Sequence, residues 1–129
     1  MTLVDSSVWI AQLRGEQTEA TARLAYLVRR EPVLIGDLIL LEVLQGARDT
    51  AHATAIERGL RAFTVVPLLS PDLAPLAAAH YRKLRAMGLT IRKTADLIIG
   101  TYCLANDHAL LHDDRDFAVM AQHLGLRVA

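Results

Sequence analysis

Cysteine is nearly absent from this 129-residue sequence, in which Cys103 stands alone. One thiol excludes an internal disulfide framework and suits a reducing compartment. Its place in an apolar helical pattern reads as a small buried hydrophobe. Net charge is also lacking, since 14 Lys plus Arg balance 14 Asp plus Glu. No global field marks a nucleic-acid partner, and any such contact has to come from a local patch. Long apolar runs are missing as well: Asp37, Glu42 and Asp96 break them, so no segment is expected to span a bilayer. The start, Met1-Thr2-Leu3-Val4-Asp5, has no basic region of a secretion signal, and with the lone thiol this predicts a cytoplasmic protein. There is no repeat, linker or low-complexity tract. Length and a hydrophobic content of 53% predict a single domain over residues 1–129 with a substantial core.

What is present alternates between two periods. Short apolar or β-branched runs at Thr2–Val4, Val33–Ile35, Thr64–Leu69 and Ala109–Leu111 predict strands, with Leu126–Val128 as a final edge strand. Between them lie predicted helices at Val8–Leu13, Thr18–Arg30, Leu38–Gln45, His52–Ala62, Pro71–Met87, Ala95–Asn106 and Phe117–Leu124. Ser6, Ser7, Ser70 and Thr94 stand where helix N-caps are expected. Strand and helix in alternation predict an α/β fold: a central, mainly parallel sheet of four or five strands with helices on both faces.

The acids fall at informative places in that pattern. Asp5 directly follows the first strand, where it either caps the next helix or serves a ligand crevice. Ser7 can bond that carboxylate or cap the helix itself. The segment His112-Asp113-Asp114-Arg115-Asp116 follows the strand at Ala109–Leu111 and reads either as a polar turn or as a second delivery of charge to the same sheet edge. Glu42 lies in the helix Leu38–Gln45, which is apolar on nearly all sides and therefore expected to be buried. Its carboxylate must be paired, protonated or bound to a metal. Asp96 sits in the first turn of another largely apolar helix. Gly46 and Gly100 lie one turn beyond Glu42 and Asp96 on the same faces and add no bulk. If these acids converge they cannot all stay ionised unaided, because two charges about 4 Å apart repel by roughly 4 kcal/mol at an effective dielectric near 20. A divalent cation would resolve this, and an all-oxygen set points to Mg²⁺ or Mn²⁺ in preference to zinc. Such a centre suits phosphodiester hydrolysis.

Arg82, Lys83, Arg85, Arg92 and Lys93 form a basic cluster without an intervening acid, five of the 14 basic residues within twelve positions. It reads as a solvated helix face or as a phosphate grip, and Arg92 and Lys93 favour the second by preceding the Asp96 helix.

Four segments in order resemble the PIN domain, and within it the VapC-type toxins of bacterial toxin–antitoxin pairs. Val4-Asp5-Ser6-Ser7-Val8-Trp9-Ile10 is similar to the family's opening strand and first acid, with Ser7 at its frequent serine. Leu41-Glu42-Val43-Leu44-Gln45-Gly46 is similar to its glutamate helix, and Ala95-Asp96-Leu97-Ile98-Ile99-Gly100 to its third acidic motif. Leu110 to Phe117 is similar to its last, with Asp114 at the fourth acid and Asp116 at a common fifth. His112 departs from the Thr or Ser of many members, and Asp113 is an extra, unassigned acid.

The resemblance implies a three-layer αβα PIN-like fold and a Mg²⁺-dependent (or Mn²⁺-dependent) endoribonuclease. Asp5, Glu42, Asp96 and Asp114 would be catalytic, and Asp5, Asp96, Asp114 and Asp116 would ligate the metal. It also implies a VapB-type antitoxin whose carboxyl-terminal segment covers the site, a homodimer, and a hetero-oligomer with the antitoxin. The competing reading is a non-catalytic partner-binding module or a phospho-acceptor receiver domain. Receivers place an acidic pair after the first strand and a lysine after a late one. Here Asp5 is single, and the only lysines are Lys83 and Lys93.

Overall fold

The computed structural model describes residues 1–129, and its sheet is assembled from very short strands. They are β1 (Thr2–Val4), β2 (Val33–Gly36), β3 (Thr64–Val66) and β4 (Ala109–Leu111). All pairings are parallel, in the order β3-β2-β1-β4. Thr2 pairs with Val33 on one side of β1 and with Ala109 on the other. The inner strands β1 and β2 are buried along their whole length, as expected of parallel strands covered on both faces.

Seven helices flank this sheet: α1 (Ser6–Leu13), α2 (Glu19–Val28), α3 (Asp37–Gln45), α4 (Thr50–Leu60), α5 (Leu73–Ala86), α6 (Thr94–Asn106) and α7 (Arg115–Leu124). Right-handed crossovers require the β1–β2 and β2–β3 connections to lie on one face and the β3–β4 connection, which runs back past β1, on the other. The packing follows that division. Helix α1 contacts α2 and α3, α3 contacts α4, and α5 contacts α6, which contacts α7. The result is the expected α/β fold, with an all-parallel sheet of four strands.

The order reverses between β1 and β4: the chain steps outward from β1 to β2 and β3, then returns to β1's other side. Ligand crevices of open α/β sheets lie outside the carboxyl ends of the strands at such a reversal. There the Asp5 N–H donates to the Leu111 carbonyl at 2.9 Å, tying the two strand ends together.

Several expected boundaries move for local reasons. Helix α1 begins at Ser6, two residues early, because Asp5 is its N-cap. Strand β3 stops at Val66, not Leu69: Pro67 has no N–H, and the next amide, Leu68, donates to Asp37 at 3.2 Å. The edge strand expected at Leu126–Val128 reduces to one parallel bridge between Leu110 and Val128. Val128 is half-exposed and Arg127 turns to Asp107, leaving only Leu126 buried in that segment. Helix α3 is not buried all round. It turns Ile39, Leu40 and Val43 inward, whereas Leu41 is 53% exposed and Glu42 is only partly covered.

The core is continuous through both faces and includes Leu3, Val4, Ile35, Ile39, Ile99, Leu110, Phe117 and Met120. Trp9 joins it against Phe63, with ring centroids 5.0 Å apart. Cys103 is fully buried and its thiol is pushed up to about 12 by that burial, so it is a packing residue. Gly100 does not make room for Asp96. A Cβ there would collide with the side chain of Met120, so the glycine is the seat on α6 into which α7 packs. Gly46 meets only ordinary contacts. No helix is long and apolar enough to cross a membrane.

Candidate metal centre

Three helix starts deliver the acids. Asp5 ends β1 and caps α1: its Oδ2 accepts from the Ser7 N–H at 3.1 Å and from the Ser7 hydroxyl at 2.6 Å. Asp114 follows β4 and caps α7, accepting from the Asp116 N–H at 3.0 Å. Asp96 lies in the first turn of α6. Carboxylates in these positions are favoured by the positive ends of the helices, so local folding and site assembly call for the same residues.

Oxygens of Asp96, Asp114 and Asp116 all lie within 4.8 Å of one another. Asp5 is outside this tight group but within its field, since its charge helps raise the Asp96 carboxyl and Asp114 helps raise Asp5. Asp5, Asp96 and Asp116 are 3%, 4% and 5% exposed. Two buried oxygens, Oδ1 of Asp5 and Oδ2 of Asp96, have no hydrogen-bond partner. Buried polar atoms are rarely left so.

The electrostatics agree with the geometry. Burial pushes the Asp96 carboxyl up to about 7, helped by the charges of Asp5, Asp114 and Asp116 and opposed by Lys93. Burial also raises Asp5 above the usual carboxylate range, against the lowering effect of its bonds from Ser7 and Ser6. Glu42 is raised by burial and by Asp5, and is held back by the Ser6 hydroxyl, 3.3 Å away, and by Lys93. Glu42 has no cation within ion-pair distance, and the Ser6 hydroxyl is its hydrogen-bond donor.

Only two cations answer these acids. Arg92 reaches Asp116 through Nε at 3.6 Å and through its backbone N–H at 3.2 Å, and Lys93 lies 3.8 Å from Asp114. Both side chains are about two-thirds exposed, so each pair contributes little net energy. A hard, oxygen-only donor set with unsatisfied buried oxygens and surplus negative charge fits a divalent cation of the Mg²⁺, Mn²⁺ or Ca²⁺ type.

The expected basic cluster therefore divides. Arg92 and Lys93 reach the acids, whereas Arg82, Lys83 and Arg85 stand exposed on α5 without an ion pair. His112 supports the loop: its Nδ1 accepts from the Asp114 N–H at 3.2 Å, its ring packs against Phe117, and burial lowers its pKa. Asp113 is exposed, but its N–H donates to the Ser7 hydroxyl at 3.2 Å, so one hydroxyl joins the loops after β1 and β4. Ser6 was expected only as a cap; its role beside Glu42 appears only when α1 and α3 pack together.

A family model described as "PIN domain" matches residues 2–122. The chain is 31% identical over 134 aligned residues to VapC ribonuclease Mb1587 of Mycobacterium bovis and, equally, to ribonuclease VapC11 of Mycobacterium tuberculosis. In both cases all of this chain and 98% of the relative are covered. Among solved structures, VapBC2 from Rickettsia felis bound to a promoter DNA fragment superposes with a TM-score of 0.79 at 14% identity, covering 99% of this chain and 96% of that one. A toxin–antitoxin complex from Klebsiella pneumoniae superposes with a TM-score of 0.70 at 20% identity, covering 92% and 91%.

Proposed function

This chain belongs to the PIN-domain family as a VapC-type ribonuclease toxin, and from that premise we propose that its acid centre holds Mg²⁺ or Mn²⁺ and hydrolyses RNA phosphodiester bonds. The observation that carries the reading is the pair of unpartnered buried oxygens on Asp5 and Asp96 beside the Asp96–Asp114–Asp116 group. Asp96, Asp114 and Asp116, completed by Asp5, would hold the cation. When bound, the ion would lower the pKa of water and stabilise charge on the phosphate.

The remaining residues act around it. Ser7 fixes the Asp5 carboxylate by two bonds and leaves the other oxygen free for the ion. Glu42 is the candidate to orient the attacking water and take its proton, because its raised pKa brings it closer to the neutral range in which a general base works best. Arg92 and Lys93, anchored near Asp116 and Asp114, are placed to receive a substrate phosphate.

Similarity to toxin–antitoxin complexes supports an antitoxin partner, which we take to be of the VapB type, with the toxin itself a homodimer. An apolar cleft of about 300 Å³ lined by Leu38, Leu41, Leu69 and Ile98 supports the dimer, since Leu41 and Leu69 are otherwise stranded in solvent. The receiver-domain alternative has no observation in its favour.

Calorimetric titration with Mn²⁺, run beside cleavage of single-stranded RNA with and without EDTA, tests the centre. Wild type is expected to bind saturably and to cleave only with the ion, and Asp96→Asn to lose both. Metal-dependent cleavage retained in Asp96→Asn would remove that residue from the site.

A further inference from the structure

An open groove of about 740 Å³ runs beside the acid centre, between α2 and the carboxyl end of β4. Thr18, Glu19, Arg23 and Tyr26 line one wall, and Leu111, His112 and Asp113 the other. His112 and Asp113 immediately precede Asp114, so the groove starts at the edge of the metal centre. The same short loop thus serves both: its first residues wall the groove and its last acids face Lys93 and Arg92.

Tyr26 has an unusual setting. It is 46% exposed and has two guanidinium groups beside it, with Arg23 Cζ 4.9 Å and Arg30 Cζ 3.9 Å from its ring centroid. Spacings of three and four residues align Arg23 and Tyr26, on α2, with Arg30, just past its end, in one row that flanks the buried side of Leu24 and Leu27. Neither arginine has a carboxylate within ion-pair distance. Folding alone does not account for this row, which leaves a tyrosine about half exposed and two guanidinium groups without an ion pair, although the groove also carries Glu19 and Asp113. Aromatic faces interleaved with arginines are what single-stranded nucleic acid binds: bases stack on the ring, and guanidinium groups take phosphates.

We propose that this groove is a single-stranded RNA subsite, in which Tyr26 stacks an unpaired base near the scissile phosphate, Arg23 holds a flanking phosphate within the groove, and Arg30, just outside its lining, holds the next. The inference rests on the ribonuclease reading and adds to it a substrate track on α2, away from the basic residues of α5. It also assigns a direction to the substrate path: from Arg92 and Lys93 across the acids to the α2 row.

The test is fluorescence anisotropy with a labelled twelve-nucleotide single-stranded RNA of mixed sequence in Mg²⁺, on a Glu42→Gln background that leaves the ion's ligands in place and slows turnover. Tyr26→Ala is expected to weaken binding by about 5- to 100-fold. Tyr26→Phe should stay within about twofold, since the ring is kept. An abasic oligomer of the same length should not distinguish Tyr26→Ala from its parent. Arg23→Ala should reduce the slope of log affinity against log salt by about one. These are surface positions, and thermal melts would verify that each variant is folded.

Tyr26→Ala binding like its parent, an equal loss on the abasic oligomer, or no RNA binding by the parent would each overturn the subsite. Cleavage of the same RNA by wild type is read separately. If it persists while the variants bind normally, the subsite falls and the ribonuclease reading stands. If wild type does not cleave, that reading falls with it. A Tyr26→Ala defect confined to holding the antitoxin would also overturn the subsite and give the groove to a protein segment.

Discussion

Asp5 and Asp49 have the same local role and different meanings. Each is an aspartate in extended backbone just before a helix, and each accepts a backbone N–H of the first turn, Asp5 from Ser7 and Asp49 from His52. Asp49 caps α4 at an exposed position and belongs to no acid cluster. Asp5 is 3% exposed at the point where the sheet order reverses, with one oxygen satisfied by Ser7 and the other left without a partner. A cap needs only one good acceptor. An aspartate buried with a spare oxygen beside other carboxylates is held there against its own desolvation cost. The difference arises from tertiary placement, not from local sequence.

Three experiments press on that comparison. The largest effect is expected from exchanging each residue for asparagine, which caps a helix as well as aspartate does. Asp5→Asn should lower RNA cleavage by more than about 100-fold, beyond the loss typical of residues that merely support a metal's ligands. Asp49→Asn should leave cleavage within about twofold. Equal effects on activity would erase the distinction. Next is Ser7→Ala, which removes the hydroxyl bonding Asp5 and receiving the Asp113 N–H while leaving the Ser7 backbone cap intact. Cleavage should fall by about 10-fold or more through loss of ligand orientation, with ion affinity falling in the same calorimetric assay. The smallest effect is on stability.

For that third test the relevant group is Asp96, whose carboxyl ionises near 3.8 when unfolded and near 7 when folded. Between those values the folded state binds more protons than the unfolded state, so stability of the ion-free protein falls as pH rises from about 4 to 7. Asp5 and Glu42 are shifted the same way and add to the trend. The acids titrate as a coupled group. Melting in EDTA should therefore be several degrees higher at pH 5 than at pH 8. Saturating Mn²⁺ should reverse the trend, because the ion binds the deprotonated form. A melting temperature in EDTA that rises with pH would mean the acids are not buried together.

The acid centre was readable from the chain because its parts are local: an acid at the end of a short apolar run, an acid in a first turn, and a charged loop between strand and helix. Their convergence follows from strand order, which parallel connections constrain strongly. What could not be read depended on where neighbouring elements end. Leu41 continues the apolar pattern of α3, yet no element covers it. The five basic residues lie within twelve positions of one another, but the turn at Gly88 (φ +80°) separates those on α5 from those that reach the acids. The Arg23–Tyr26–Arg30 row has visible helical spacing, but spacing alone does not tell an exposed face from a site. That required β4's loop to form the opposite wall.

Helices α6 and α7 meet where the Met120 side chain seats over Gly100. Each residue lies one turn along its helix from an acid: Gly100 is four residues beyond Asp96, and Met120 four beyond Asp116. The Met120–Gly100 contact therefore works as a gauge block, helping from one turn behind to set the gap across which the three carboxylates face one another. An added methyl group at position 100 would press on the sulfur and end methyl of a flexible side chain, so Met120 would swing aside and the spacing would change little in a protein that still folds.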